Sequence, residues 1–355
     1  MKTLSVLALT GSANMPSSRF RVRQHIRPLA DRGIHVTDYA MPFGAEELAA
    51  KLPDDVRIRY TPSLWLAALQ SETRKGIALI AKTLATHRYE ATWLSRELYP
   101  GRATTERLLK RPIVFDVDDA IWLVPPGGAR ASAHAARRAD VVLAGNQYIA
   151  DWFTKYNQRI EVVPTAVDTD EYQCLRQRKE SSFTIGWIGT SSNLRNVEDI
   201  SYALQRFFLV APSARLLVVS DRPPKLPNVN PSNIEFVRWS RSEEVQRINS
   251  FDVGIMPLTD DEWARGKCSF KMLQYMACEV PCVVSPVGMN HDVIQEGSVG
   301  FAPNTQEEWL DAFVALYENE RLRKAFGGNG RSLVMNRYSR RIVTRKLERV
   351  FGTLR

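Results

Sequence analysis

Cysteine is scarce in this sequence, with four in 355 residues, and none of them forms a Cys-x-x-Cys pair. Such pairs are the usual sign of a zinc site or a redox motif. Cys268, Cys278 and Cys282 lie in apolar stretches, where an isolated thiol behaves as a small buried hydrophobic group. We therefore expect neither a disulfide framework nor a structural metal site.

Long apolar runs are also lacking. No stretch of about 18 apolar residues occurs, so the sequence predicts no membrane-spanning helix. The start, MKTLSVLALTGSA, has too short an apolar part for a signal peptide and continues into a strand-like pattern. We therefore expect a cytoplasmic protein.

The charge balance is basic, with a formal net charge of +9 at pH 7. The basic residues are dispersed, and no motif of a nucleic-acid-binding protein accompanies them. We expect no nucleic-acid partner. A polyanionic substrate or an anionic membrane surface explains the charge, and the balance alone does not choose between them.

The length exceeds one ordinary hydrophobic core, and apolar strand-like runs alternate with helical segments, which is typical of doubly wound α/β domains. The predicted strands of the first half are 4–9, 34–38, 56–60, 91–95, 113–115, 140–144 and 160–163, and those of the second half are 183–188, 215–219, 234–237, 253–256 and 282–285. An arginine-rich helix is predicted over 19–32 and another over 64–84. Most of the arginines of 19–32 should be solvated, with Arg23 and Arg27 as candidate lipid contacts.

Ligands of doubly wound sheets bind beyond the carboxyl ends of the strands. In the first half, this edge would carry two groups of residues. Gly11, Ser12 and Arg19 follow the first strand, where a phosphate or an acceptor could be met. Arg96 and Glu97 follow the strand at 91–95, and we expect them at the same edge.

Asp116, Asp118 and Asp119 place three carboxylates within four positions after a strand. Clustered acids repel one another, so such a group needs a cation, basic neighbours or a raised pKa. Three interpretations compete: a divalent metal site, a helix N-terminus favoured by acidic residues, and a site that receives an acceptor.

The segment 263–296 is predicted to form a loop, a helix that is capped by Ser269 and runs to about residue 278, and a buried strand. Lys267 and Lys271 flank the helix start, where positive charge is unfavourable unless an anion binds there. Gln274 lies one turn further along the face that carries Phe270 and Lys271. This pattern indicates a phosphate site, and a core helix with solvated lysines is the alternative.

The segment GKCSFKMLQYMACEVPCVVSPVGMN, with the flanking chain, resembles the donor-binding signature of family 4 glycosyltransferases of GT-B fold, which are retaining enzymes that use nucleotide sugars. The resemblance implies two doubly wound, Rossmann-like domains facing a cleft, with the C-terminal helix crossing back to the first. Residues 1–167 with 338–355 would form the acceptor-side domain, and 168–337 the nucleotide-sugar-binding domain.

The resemblance also implies that different residues bind the donor and the acceptor and that no metal ion takes part. The implied donor-binding residues are Gly189, Thr190, Arg195, Arg238, Trp239, Lys267, Ser269, Phe270, Lys271 and Gln274. Among them, Arg195, Lys267 and Lys271 would hold the diphosphate, the loop with Trp239 would lie against the nucleobase, and the Gln274 amide would hydrogen-bond ribose hydroxyls. The donor would be a UDP- or GDP-linked sugar, and no other cofactor is expected. Asp116, Asp118 and Asp119 would serve catalysis on the acceptor side, with Gly11, Ser12, Arg19, Arg96 and Glu97. The acceptor would be a glycan or a lipid-linked molecule, with peripheral contact to an anionic inner membrane face, in the synthesis of a surface polysaccharide or glycoconjugate.

This chain departs from the family pattern at several positions. Asp116 stands where the family usually has a histidine, Thr190 stands in place of a basic residue, and Gly266 and Gln274 replace two glutamates eight residues apart. These departures keep two other functions open: a GT-B-shaped nucleotide-sugar epimerase and a noncatalytic nucleotide-sugar-binding module. Transfer needs an acceptor, epimerisation does not, and a binding module turns over no donor.

Overall fold

The computed structural model describes residues 3–11, 15–40, 76–175 and 182–354. The chain divides into two compact units, one of residues 1–165 with 344–355 and the other of residues 166–343. The sequence places these boundaries at 167/168 and 337/338. The predicted strand at 56–60, most of the predicted helix 64–84 and Ser12 lie outside the described residues.

The first unit is built on a parallel six-stranded sheet of order β2-β1-β3-β4-β5-β6. The strands are β1 Leu4–Thr10, β2 Ile34–Ala40, β3 Ala91–Ser95, β4 Ile113–Val117, β5 Val141–Ala144 and β6 Ile160–Val162. β3, β4 and β5 are buried along their whole length, as expected for strands covered on both faces. The predicted strands are thus confirmed wherever the structure describes them.

Helices cover this sheet. They are the α-helices Ile26–Ala30, 76–85, Gly128–Arg138 and Gln147–Phe153, with short 3₁₀ turns at Thr86–Arg88, Glu106–Leu108 and Ile121–Leu123. The C-terminal helix Arg340–Gly352 contributes its residues from Thr344 onward to this unit. Its Phe351 ring lies 5.2 Å from the Trp93 ring, and Thr344 is hydrogen-bonded to His25 at 2.8 Å. The predicted return of the last helix to the first unit is confirmed.

The predicted continuous helix over 19–32 is wrong. The segment is a π-helical turn, Ser18–Val22, a 3₁₀ turn, Arg23–His25, and a five-residue α-helix, Ile26–Ala30. Pro28 explains the break, because its ring clashes with the carbonyl group four residues earlier and it offers no N–H to continue the ladder.

The second unit holds a parallel six-stranded sheet of order β12-β11-β10-β7-β8-β9. The strands are β7 Thr184–Ile188, β8 Arg215–Ser220, β9 Ile234–Arg238, β10 Val253–Met256, β11 Cys282–Val284 and β12 Gly300–Phe301. The two-residue β12 has no counterpart in the sequence prediction, because it is too short to show a pattern. β7 and β10 are neighbours although they are far apart in sequence, so the strand order reverses there.

The helices of the second unit are Leu194–Glu198, Ser201–Val210, Glu244–Asn249, Glu262–Arg265, Phe270–Ala277, Met289–Glu296, Gln306–Glu318 and Glu320–Leu333. One aromatic core joins several of them: the Phe207 ring lies 5.8 Å from that of Phe183 and 5.6 Å from that of Phe313. All three side chains are buried. This core fixes the sheet whose carboxyl edge carries the predicted donor residues.

The described residues include the cysteines that were predicted to be buried and the helices that were predicted not to span a membrane. Cys268, Cys278 and Cys282 are buried free thiols, while Cys174 is half-buried. Burial raises the pKa of Cys278 to about 12, so this thiol is protonated and unreactive at neutral pH. Within the described ranges, none of the helices is long and apolar enough to cross a membrane.

Candidate active site

Asp116 is a buried acid inside strand β4. Its side chain is 2% exposed, and its carboxylate accepts hydrogen bonds from Arg21 (Nε to Oδ1, 3.0 Å) and from the Trp93 indole (Nε1 to Oδ2, 3.1 Å). Burial raises the pKa of Asp116, although the Arg21 guanidinium beside it opposes the shift. Both carboxylate oxygens are engaged inside the unit. A direct catalytic role for Asp116 would therefore require Arg21 or Trp93 to release it.

Arg21 is the residue that the sequence prediction missed. It was expected on a solvated arginine face, but it is buried, and it also donates to the carbonyl oxygen of Val163 at 2.6 Å. A buried guanidinium needs a carboxylate partner, and Asp116 supplies it. Arg23 is not a simple surface residue either, because it forms an ion pair with Asp38 and reaches Thr10 Oγ1 at 3.2 Å. Arg27, by contrast, is exposed, as expected for most arginines of this segment.

Asp118 and Asp119 share one partner, Arg96. The Arg96 guanidinium lies 2.7 Å from Asp118 Oδ1 and also contacts Asp119 Oδ2. Burial alone would raise the pKa of Asp118, but the charges of Arg96 and Arg21 and a hydrogen bond from Ser17 together lower it. The acids and arginines at this edge thus form a compensated network, which is what a cluster of carboxylates requires.

Arg96 holds this position with a left-handed backbone, φ 62°. That conformation costs a residue with a side chain about 1–2 kcal/mol, and the ion pairs with two aspartates offset the strain. The neighbouring Glu97 is buried and accepts a hydrogen bond from Ser132 Oγ at 2.6 Å. Burial raises the pKa of Glu97 despite that bond. The structure thus brings Arg96 to the acidic cluster and turns Glu97 into the interior.

The remaining predicted acceptor residues lie at the end of β1. Gly11 directly follows β1 and packs against Met15, whose Sδ would be only 2.5 Å from an added Cβ. Arg19 is half-buried, and its guanidinium carbon lies 4.1 Å from the centre of the Phe20 ring. Neither residue contacts a substrate-like group in this structure, so their assignment to an acceptor stays a prediction.

In the second unit, Lys271 lies across the carboxyl end of β7. Its Cε would be 2.6 Å from a Cβ added at Gly189, and its Nζ lies 5.7 Å from the centre of the Trp187 ring. A side chain at position 189 would therefore force Lys271 and Trp187 to move. The lysine spans from the start of one helix to the strand at which the sheet order reverses, where doubly wound sheets bind ligands.

The start of helix Phe270–Ala277 has an unusual form. Ser269 at the N-cap position is left-handed, with φ 51°, and its side chain makes no capping hydrogen bond. The expectation that the Ser269 hydroxyl caps the helix is therefore wrong, since a left-handed backbone directs the side chain elsewhere. The start of a helix carries partial positive charge, which suits an anion. Lys267 lies nearby in sequence, with its Nζ 5.9 Å from the Trp263 ring centre.

Gln274 is 4% exposed, so most of its side chain is turned into the unit. Its Nε2 donates to Tyr172 Oη at 3.0 Å and to Glu244 Oε1 at 2.5 Å. Neither Tyr172 nor Glu244 was predicted from sequence, and no local pattern marks them, because they come from two other segments of the unit. The predicted contact of Gln274 with a ribose stays a prediction, and only the other end of its amide could make it.

The other predicted donor residues lie at the same edge of the second sheet, but they do not share a single surface. Arg195 is exposed and lines a crevice of about 390 Å³ beyond β10 and β11, together with Leu258, Ser285 and Trp309. The lining of this crevice includes neither Lys267 nor Lys271. The predicted three-residue grip on a diphosphate is thus not assembled there.

Thr190, Arg238 and Trp239 complete the predicted set. Thr190 Oγ1 is hydrogen-bonded within its own loop, to Ser192 Oγ at 2.9 Å. Arg238 ends β9 and is exposed, and the following Trp239 has a half-exposed ring. A flat exposed ring beyond a strand end can stack on a planar group. The role of Trp239 at a nucleobase stays a prediction.

None of the described residues forms a group of three or more His, Cys, Asp or Glu side chains that could hold a metal ion. Where three acids cluster in sequence, at 116–119, their carboxylates instead face the guanidinium groups of Arg21 and Arg96. The geometry of this cluster is that of an ion-pair network.

Two family models match the chain. One, described as Glycosyltransferase Family 4, matches residues 20–171, and the other, described as Glycosyl transferases group 1, matches residues 182–319. Together they account for most of both units. No protein of curated function matches the sequence.

Several solved structures have the same fold over the whole chain. Sucrose-phosphate synthase (tll1590) from Thermosynechococcus elongatus is 13% identical, with a TM-score of 0.70 and 99% of each chain covered. Anabaena Alr3699/HepE in complex with UDP-glucose is 15% identical, with a TM-score of 0.72 and coverage of 99% of this chain and 100% of that one. WaaG, a glycosyltransferase involved in lipopolysaccharide biosynthesis, is 14% identical, with a TM-score of 0.63 and coverage of 98% and 99%. At such identities the likeness establishes the GT-B fold.

Proposed function

Because this chain belongs to the family 4, group 1 glycosyltransferases, we propose that it transfers a sugar from a nucleotide-sugar donor to a glycan or lipid-linked acceptor, with retention of anomeric configuration and without a metal ion. The UDP-glucose bound by the Anabaena protein of the same fold supports a nucleotide sugar as donor. We propose a UDP- or GDP-linked sugar, used in the synthesis of a surface glycan.

The observation that carries this proposal is Lys271 lying across Gly189 beside the start of helix Phe270–Ala277, whose N-cap residue Ser269 makes no side-chain capping hydrogen bond. A helix start offers N–H groups and partial positive charge, and a lysine beside it adds a full charge. The same edge ends in the exposed Trp239 ring, which could stack on the base. A nucleoside diphosphate has both matching parts: an anion and an aromatic base.

In the proposed reaction, the bond between the anomeric carbon and the diphosphate oxygen breaks while the acceptor oxygen attacks from the same face. The departing diphosphate receives the acceptor's proton, so that no separate carboxylate base is needed. Lys271 and the helix start, with Lys267 nearby, stabilise the negative charge that grows on this leaving group. Catalysis is then positioning together with electrostatic stabilisation.

The direct test is to incubate the protein with UDP- and GDP-linked sugars, with and without extracts that contain lipid-linked or glycan acceptors. We expect sugar transfer that requires an acceptor. NMR of the product should show that the anomeric configuration of the donor is retained. Donor isomerisation without an acceptor would indicate the epimerase. Nucleotide-sugar binding without turnover for any acceptor would indicate a binding module.

Metal independence is proposed from the chemistry of the acidic cluster. Asp118 and Asp119 are neutralised by Arg96 and Asp116 by Arg21, so a divalent cation would have to displace arginines that already occupy these carboxylates. Transfer should continue in excess chelator. Loss of activity that is restored by adding back Mn²⁺ or Mg²⁺ would overturn this part of the proposal.

A lipid-linked acceptor would bring the first unit to a membrane, and we propose the surface that makes this contact. Ile77, Ile80 and Leu84 are exposed on one face of the helix 76–85, and Ile77 is 64% exposed. Leu108 extends this apolar face, since its carbonyl oxygen is hydrogen-bonded to His87 at 2.9 Å. We call these four aliphatic residues the aliphatic face.

Basic side chains border the aliphatic face. Arg88 follows it at helical spacing, and Arg107 adjoins Leu108, and both are exposed. An apolar strip with arginines at its margin matches an anionic bilayer, where the aliphatic groups enter the interface and the arginines meet phosphate groups. This surface replaces the predicted contact through Arg23, because Arg23 is paired with Asp38.

Vesicle sedimentation tests the membrane contact. The protein should bind vesicles that contain phosphatidylglycerol and bind phosphatidylcholine vesicles weakly. Replacing Ile80 and Leu84 by Ser should abolish binding, whereas Leu209→Ser in the second unit, at a 77% exposed position, should not. Equal loss in the Leu209 variant would contradict the assignment. So would a large fall in thermal stability of the double variant, because that would mean the face is packed within the chain.

A further inference from the structure

A closed triangle of hydrogen bonds surrounds the amide nitrogen of Gln274. Nε2 lies 3.0 Å from Tyr172 Oη and 2.5 Å from Glu244 Oε1, and Tyr172 Oη itself lies 2.7 Å from the same Glu244 oxygen. Tyr172 and Glu244 are both buried. The tyrosine hydroxyl therefore donates to the glutamate and accepts from the glutamine, so each donor in the triangle has an acceptor.

Glu244 decides which end of the amide points inward. A carboxylate only accepts hydrogen bonds, so the nitrogen of Gln274 must face it, and the reversed amide would set two acceptor oxygens against each other. Both hydrogens of Nε2 are then used by Tyr172 and Glu244. No residue in the described ranges donates to Gln274 Oε1, so the other end of the amide can only accept.

The partners of Gln274 are themselves held in place. Arg331 Nη1 donates to the carbonyl oxygens of Tyr172 and of Ala277, each at 2.5 Å. Ala277 is the last residue of the helix that carries Gln274, so one guanidinium joins the Tyr172 segment to that helix. The second oxygen of Glu244 lies 3.7 Å from Arg241 Nη1. Rotation of the Gln274 amide would break its two hydrogen bonds, to Tyr172 and to Glu244.

We infer that Glu244, together with Tyr172, is a positioning residue that fixes the Gln274 amide so that its carbonyl oxygen accepts a hydrogen bond from a ribose hydroxyl of the bound nucleotide. This inference rests on the proposed function, which puts a nucleotide at the start of the same helix. A ligand group that meets an acceptor-only atom must be a donor, and a ribose hydroxyl is one.

A glutamate at position 274 would combine a negative charge with a hydrogen-bond acceptor. This arrangement places the two on different residues. Here the negative charge lies on Glu244, behind the amide, and the oxygen available to the ligand is neutral. The ligand side therefore keeps a hydrogen-bond acceptor but does not add a carboxylate next to a diphosphate, which would repel it.

The test is the preference for ribose over deoxyribose. The dissociation constants of UDP and 2′-deoxy-UDP, and of GDP and its 2′- and 3′-deoxy forms, are measured by calorimetry. The natural protein should prefer the ribose form by about 5- to 10-fold, the value of one hydrogen bond. In Glu244→Gln the amide of residue 274 can reverse, so the preference should fall below about 2-fold. The matched control is Glu243→Gln, an exposed glutamate paired with Arg247 at 2.8 Å, and it should keep the full preference.

The double variant Gln274→Glu with Glu244→Gln is a control for the case in which Glu244→Gln alone fails to fold. It keeps one carboxylate and one amide in the triangle and returns an acceptor oxygen to the ligand side, so the ribose preference should be restored. A Glu244→Gln protein that folds and keeps the preference would overturn the inference. A natural protein that binds nucleotides without ribose preference would overturn it too, while leaving the proposed function intact. Absence of nucleotide binding would instead refute the proposed function.

Discussion

The two sheets arrange charge at their carboxyl edges in different ways. In the first unit, arginines form ion pairs with aspartates: Arg21 pairs with Asp116, and Arg96 pairs with Asp118. In the second unit, lysines lie over aromatic rings: Lys271 over Trp187 and Lys267 over Trp263. A cation above a ring is attracted to its face but can still donate hydrogen bonds to an anion. The first edge is therefore held together by ion pairs, and under the proposed function the second edge is the one that receives the phosphate groups of the donor.

The first way to break this comparison is to remove Arg21. In Arg21→Met, Asp116 would remain buried without its partner, which costs about 3–5 kcal/mol of unfolding free energy. Urea denaturation measures the loss. The exposed Arg345 provides the control, since Arg345→Met should change stability by less than about 0.5 kcal/mol. A stable Arg21→Met protein would show that the first edge is not held together by ion pairing.

A second way is to place a carboxylate at Gln274. Gln274→Glu would set two acids against each other in a buried site, and we expect about 1–3 kcal/mol of destabilisation at pH 7. Repulsion raises the folded pKa of the pair, so the loss is present above about pH 5 and shrinks as pH falls and one acid takes up a proton. Thermal melts at pH 7 and at about pH 4 check this, and a loss of equal size at both values would contradict it.

A third test of the comparison is how the stability contributed by Asp118 depends on pH. The folded pKa of Asp118 is lowered, so its contribution to stability is present above its unfolded value of about 4 and is lost as pH falls through the folded pKa. Asp118→Asn should therefore be less stable by about 1–2 kcal/mol at pH 7 and nearly equal to the natural protein near pH 2. A difference that grows on acidification would show that Asp118 is not stabilised by Arg96.

The smallest expected effects come from two glycines. Gly189→Ala would force Lys271 and Trp187 apart and should weaken nucleotide binding several-fold, with modest destabilisation of about 1–2 kcal/mol. Gly328→Ala is the control, because nothing lies within 4 Å of its added Cβ in helix Glu320–Leu333. Alanine there should stabilise the protein by about 0.5–1 kcal/mol. Unchanged nucleotide affinity in Gly189→Ala would mean that Lys271 does not act from this position.

The strands and the helix of the donor edge could be predicted from the sequence because their signals are local. β4 is a continuous apolar run up to Asp116, and Lys267 and Lys271 flank a helix whose stop is marked by Pro281. Those predictions needed only spacing and residue type. The helix over 19–32 was predicted wrongly as continuous, although Pro28 is local evidence for its interruption.

The partners of the charged groups could not be predicted in this way. Arg21 and Asp116 are 95 positions apart, and Gln274 and Glu244 are 30 apart. Such pairs depend on which strands become neighbours and on the exact turn of each side chain, which a single sequence does not reveal. The same limit explains why Arg195 was expected beside the lysines, although the structure puts it in another crevice.

The central claim is that the second unit binds the donor diphosphate through Lys271 and that the acidic network of the first unit does not. Calorimetry with UDP and GDP on Lys271→Met and Asp118→Asn tests it most directly, with Lys324→Met as a control for an exposed lysine. Loss of a charge-assisted hydrogen bond predicts a 10- to 100-fold weaker affinity for Lys271→Met, on the order of 1.5–3 kcal/mol. Asp118→Asn and Lys324→Met should bind like the natural protein. Normal binding by Lys271→Met, or an equal loss in Asp118→Asn, would contradict the account.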